Sequence, residues 1–117
     1  MTAMPPVPPA VPEIDVDALD QARRGGAAVI DVRQPDEYDA GHVPGARLIP
    51  LAEVGMRVGE IPTDGPVYVI CLSGGRSAKA TEFLRTKGVD ATSVAGGTKA
   101  WAGSGRPLAH GPLPGEL

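Results

Sequence analysis

Two short β-branched runs, AAVIDV at 27–32 and VYVIC at 67–71, constrain this chain more than any other feature. Each is too short for a helix and apolar almost throughout, which suits a strand buried on both faces. Helical patterns separate them. Asp15 or Asp17 can cap a helix through Leu19 to Arg24 that Gly25 and Gly26 end. Pro35 to Ala40 opens with proline and places acids in its first turn. Leu51 to Val58 and Ser77 to Lys87 read as further helices, with Gly88 as a stop after the second. Glu13–Asp15, Ala46–Ile49 and Ala91–Ala95 read as the remaining strands, and Thr98–Ala102 as a helical turn. Strands alternating with helices imply an α/β fold, a parallel sheet covered on both faces.

The sequence has 117 residues, which suits one domain. Residues 1–12 form a proline-rich arm and 109–117 a surface-hugging tail, leaving 13–108 as the folded unit. Only Tyr38, Tyr68, Phe83 and Trp101 are aromatic, so the core must be built from aliphatic side chains. The formal charge of −3 gives no argument for nucleic acid or an anionic membrane. No stretch approaches the roughly 18–20 apolar residues of a membrane span. The proline-rich start does not resemble a signal peptide, so a cytoplasmic location is the expectation by default. One cysteine allows no internal disulfide, and it lies far from both histidines, so neither a metal nor a cofactor is expected.

In an open parallel sheet, ligands sit beyond the carboxyl ends of the strands. Here the end of VYVIC carries the chemistry. Cys71 closes the strand, Leu72, Ser73, Gly74 and Gly75 turn the chain, and a helix starts near Arg76 or Ser77. A helix start leaves N–H groups unpaired and carries about half a positive charge. The glycine pair lets successive N–H groups curl into one concavity, and Arg76 adds a full charge. A thiol held there is expected to ionise near neutrality and to sit beside an oxyanion site. A lone cysteine is more often a small core residue, and it is the glycines, Arg76 and the helix start that favour a nucleophile. The stretch GGRSAK lacks the phosphate-loop pattern of nucleotide-binding proteins.

Three segments resemble rhodanese domains in the same order: DVRQPDEYDAGHVPGARLIP at 31–50, VYVICLSGGRSAKATEFLRTKGV at 67–89 and GGTKAWAGSGRPL at 96–108. The resemblance implies a three-layer domain with a five-stranded, mostly parallel sheet and helices on both faces. It implies a sulfurtransferase, with Cys71 taking sulfane sulfur from thiosulfate or a persulfide donor and passing it to cyanide or a thiol. Leu72, Ser73, Gly74, Gly75 and Arg76 match the loop that cradles the sulfur, and Arg76 is a candidate for steering an anionic donor. Four alternatives stand beside this reading. The chain could be a protein-to-protein sulfur carrier, which an apolar rim at Leu72 would favour. It could be a binding module without catalysis, against which Cys71 and Arg76 speak. A cysteine-dependent phosphatase typically places five residues between cysteine and arginine, and here there are four. A redox sensor would need an external resolving thiol.

The remaining polar residues have structural readings that compete with functional ones. Asp31 and Arg33 could line the mouth of the site, but the favoured reading has Asp31 accepting N–H bonds and Arg33 pairing with Glu37. His42 in GHVPGA is expected to be a hydrogen-bonded turn residue rather than a general base, and His110 to be solvated. Trp101 is expected to pack the closing segment, and Ser77 to bond the loop backbone. Arg23 and Arg24 suit a helix end and need no other role.

Overall fold

The computed structural model describes residues 11–115. Five strands form one sheet: β1 (Glu13–Ile14), β2 (Ala28–Asp31), β3 (Arg47–Leu48), β4 (Val67–Ile70) and β5 (Ala91–Val94). Their order is β1-β5-β4-β2-β3, and every strand pair is parallel. The helices are α1 (Val16–Arg24), α2 (Pro35–Ala40), α3 (Gly75–Thr86) and α4 (Gly97–Gly103). Among the described residues, no helix is long and apolar enough to cross a membrane.

Alternation along β4 divides the core into two layers. Val67, Val69 and Cys71 join Ile30, Val32, Ala80 and Leu84 on the α3 face. Ile70, with Tyr68 packed against it, joins Val29, Leu19 and Trp101 on the face of α1 and α4. Successive side chains on a strand point to opposite faces, so both faces of a central strand must be apolar. That requirement is why VYVI has no polar position. Asp15 caps α1 by accepting the Ala18 N–H at 2.9 Å, and Pro35 occupies the first turn of α2, where its missing N–H costs nothing.

One expected element differs. Leu51 to Val58 is not an α-helix but two short 3₁₀ turns, Leu51–Glu53 and Val58–Glu60, with an irregular turn between them. Gly55 and Gly59 penalise helix in a segment too short to repay nucleation. Burying Val54 and Ile61 against the sheet sets its path instead.

Among the described residues beyond α4, backbone pairings tie the chain back to the domain. Ala109 and His42 exchange backbone hydrogen bonds in an isolated antiparallel bridge. The Gly45 N–H donates to Pro114 O and the Gly111 N–H to Asp39 O. The proline-rich arm falls, except for residues 11 and 12, outside the described residues. Pro12 O accepts the Ser93 N–H at 2.8 Å, so pairing with β5 starts there.

Candidate active site

Cys71 stands where β4 ends, and the chain turns sharply before α3 begins at Gly75, one or two residues earlier than the sequence suggested. Gly74 makes the turn possible. Its φ of +120° lies in the region that L side chains avoid. In this conformation the Gly74 N–H donates to Cys71 Sγ at 3.1 Å. The thiol in turn donates to Ser77 Oγ at 3.4 Å. Burial pushes the Cys71 thiol up, but the Ser77 hydroxyl and the N–H groups of Ser77, Gly74 and Ser73 outweigh it. The net effect holds the thiol below its ordinary value. Cys71 is buried, and Leu72, which follows it, is 43 % exposed.

The loop is pinned from a second side by α4. The Thr98 N–H and hydroxyl both donate to Cys71 O, at 2.8 and 3.0 Å, and the Lys99 N–H donates to Leu72 O at 3.0 Å. This approach requires glycine at position 97, where a Cβ would fall 2.5 Å from both carbonyl oxygens and φ is +58°. The start of α4 therefore occupies the loop's carbonyls and leaves its N–H groups to the sulfur. Gly97 and Thr98 belong to the site although the sequence reading did not include them. The Gly96–Gly97 pair was their signal, as two adjacent glycines mark either a turn or a close backbone approach.

Ser77 is fully buried on the first turn of α3 and bonds the loop backbone, donating to Gly74 O at 3.1 Å. Its oxygen also lies 2.8 Å from the hydroxyl of Ser93, a buried residue on β5. Ser93 is a third site residue, after Gly97 and Thr98, that the sequence did not reveal. A single serine within ATSV gives no sign that it meets the hydroxyl beside the thiol, across from the neighbouring strand.

Arg76 does not stand free. Its Nη1 and Nη2 donate to the two carboxylate oxygens of Glu37 at 2.7 and 2.9 Å. The Arg76 hydrogen bonds hold the Glu37 carboxyl down to about 2, against the opposing effect of its own partial burial. The expected pairing of Arg33 with Glu37 is thus not the one formed. Arg33 binds Asp31 instead, through Nε to Oδ1 at 3.0 Å and Nη2 to Oδ2 at 2.8 Å, and also donates to Gly41 O at 2.8 Å. Asp31 further accepts the Arg33 N–H at 3.0 Å. Both side chains are buried, so they tie the end of β2 to the end of α2 and do not line an open mouth. The preference of a guanidinium for a two-point carboxylate partner explains both pairs, and geometry decides which acid each arginine reaches.

Two residues outside the loop are structural. His42 is buried and stacked on Tyr38, with Nδ1 2.8 Å from Tyr38 O and Nε2 2.9 Å from Leu113 O. Trp101 is buried in the second core layer and donates from Nε1 to Pro107 O at 2.8 Å. Arg23 and Arg106 stack on its ring. His110 is exposed, and its Nδ1 lies 2.9 Å from Ala40 O.

A parallel α/β sheet with a thiol cradled by loop N–H groups beyond its central strand defines a class of proteins built to hold a charged sulfur or a small anion. The model of the rhodanese-like domain family matches residues 15–104, and the chain belongs to that family. The chain is 36 % identical over 101 residues to a sulfurtransferase of Allochromatium vinosum, covering 84 % of this chain and 94 % of that protein. It is 45 % identical over 78 residues to the uncharacterized protein YqhL of Bacillus subtilis, covering 66 % of this chain and 62 % of the other's length. Among solved structures, it is similar to a rhodanese-related protein from Thermoplasma volcanium. The TM-score is 0.79 at 32 % identity, covering 84 % of this chain and 97 % of that one.

Proposed function

We propose that this protein is a sulfurtransferase that carries sulfane sulfur as a Cys71 persulfide, taking it from thiosulfate or a persulfide donor. The observation that carries the reading is the Gly74 N–H on Cys71 Sγ at the head of α3. In the first step the Cys71 thiolate attacks the sulfane sulfur of the donor. The donor's sulfur–sulfur bond breaks, and sulfite or a thiolate leaves with the electron pair. In the second step an acceptor thiolate or cyanide attacks the outer sulfur, and Cys71 leaves as thiolate. Negative charge stays at the same place throughout. Fixed N–H groups of Ser73, Gly74 and Ser77 stabilise it without reorganising.

Leu72, Ser73, Gly74, Gly75, Arg76 and Ser77 form the binding loop in this reading, with Asp31 and Arg33 supporting it from β2. Four residues between Cys71 and Arg76 suit a terminal sulfur better than a phosphoryl group. The partners are a small donor and a thiol or cyanide acceptor, in the cytoplasm. The exposed Leu72 favours a second reading, in which donor or acceptor is a sulfur-relay protein that covers this apolar edge.

Intact mass after incubation with thiosulfate or a small-molecule persulfide tests the step. A gain of about 32 Da that cyanide removes, and that Cys71→Ser never shows, is the expected result. Hydrolysis of an aryl phosphate without any sulfur gain would overturn it.

A further inference from the structure

Arg76 is the only charged residue between Cys71 and Ser77, and Glu37 engages it at two points. A two-point pair presents little net charge. Both partners remain partly open to solvent, with side-chain exposures of 35 % and 29 %, so the pair stands at the surface of the site and not in the core. It is close enough to the sulfur that the Cys71 charge acts on the guanidinium. Glu37 is also held from behind, since its Oε1 accepts the Gln34 N–H at 3.1 Å at the start of α2. It cannot swing aside without losing that contact.

A donor approaching Cys71 therefore meets an ion pair, a thiolate and neutral N–H groups. Nothing in the loop offsets the second charge of a dianion. A sulfane sulfur carrying one charge or none uses the N–H groups equally well and pays less repulsion.

We propose that Glu37 is a specificity-determining residue: by cancelling Arg76 it biases Cys71 toward sulfane sulfur donors of low charge, persulfides borne on thiols, over small dianions such as thiosulfate. This rests on sulfur transfer through Cys71 and narrows its donor class. The step balances as above, with Cys71 forming one sulfur–sulfur bond while the donor's breaks, and the donor thiolate departing with the electron pair.

The test compares Glu37→Gln with the wild type, using thiosulfate and an aryl thiosulfonate, a monoanion that donates through the same kind of sulfur–sulfonyl bond. Glutamine keeps the shape and can still accept from Arg76 and Gln34. The expected result is a rise in kcat/KM of roughly tenfold for the dianion, and its square root, roughly threefold, for the monoanion, because the gain scales with donor charge. Both gains fade at about 0.5 M salt, where screening reaches only a few ångströms. Equal changes for the two donors, or none, would mean that the pair only ties α2 to α3, and would overturn the proposal. Should the variant fail to fold, the wild type decides alone. A thiosulfate rate that holds level or rises with salt supports cancellation, since only repulsion from the Cys71 thiolate is left to screen, and a steep fall with salt refutes it. If neither donor adds sulfur to Cys71 by intact mass in either protein, sulfur transfer itself fails and the donor preference falls with it, which separates that failure from the others.

Discussion

Ser77 holds three relationships at once, and its hydroxyl proton decides between them. With Cys71 as thiol, Ser77 accepts from the sulfur and donates to Gly74 O. With Cys71 as thiolate, Ser77 can turn its proton to the sulfur while Ser93, at 2.8 Å, donates to the oxygen left behind. Ser77→Ala is expected to raise the pH at which Cys71 becomes half reactive toward iodoacetamide, since a listener to the charge is removed while burial remains. It also strands the buried Ser93 hydroxyl, at a cost of about 1–3 kcal/mol in urea unfolding. An unshifted alkylation profile would assign Ser77 a packing role only. The sequence made Ser77 and the glycines visible because they follow Cys71 directly. Ser93 was invisible because its meeting with Ser77 depends on how β5 lies against β4, which no local pattern encodes.

At the scale of elements, α2 is held by two ion pairs of different character. Asp31–Arg33 is buried, so breaking it leaves a charge without a partner. Asp31→Asn is expected to destabilise the fold by about 3–5 kcal/mol, read from denaturant unfolding. Glu37–Arg76 is partly exposed and responds to acid. The Glu37 carboxyl lies at about 2 in the folded protein, below its ordinary 4.5. The folded state thus binds fewer protons at this group than the unfolded one. The contribution is complete above about pH 4.5 and is lost as pH falls toward 2. Unfolding midpoints measured down that range should fall more steeply in the wild type than in Glu37→Gln. The strands, α2 and α3 were legible because short β-branched runs, Pro35 and the glycine turn are local signals. Leu51 to Val58 was not, because its apolar spacing fits a helix while Gly55, Gly59 and the burial of Val54 and Ile61 bend it otherwise. The partners of Arg33 and Arg76 were exchanged for a related reason. Glu37 is four residues from Arg33 along the chain, yet it faces Arg76, 39 residues away.

For the whole molecule, the segment after α4 closes the second core layer. Leu108 packs there, and the carbonyls of Ala109, Leu113 and Pro114 accept from, or face, His42 and Gly45. Ending the chain after Pro107 is expected to leave His42 Nε2 without its carbonyl partners and to lower the melting temperature by several degrees, consistent with one or two kilocalories in a small domain. Calorimetry on the truncated chain checks this, and an unchanged midpoint would make the tail a passenger.

The grip of α4 on the carbonyls of Cys71 and Leu72 has a consequence in time. A chain is made from its amino end, so Cys71 emerges from the ribosome while Gly97, Thr98 and Lys99 are still held in the exit tunnel. Until those residues arrive, the loop's carbonyls are unclaimed and its N–H groups have no reason to converge on one sulfur. The loop of a half-emerged chain therefore lacks the donors that fix its carbonyls, and it takes its finished shape only when α4 docks.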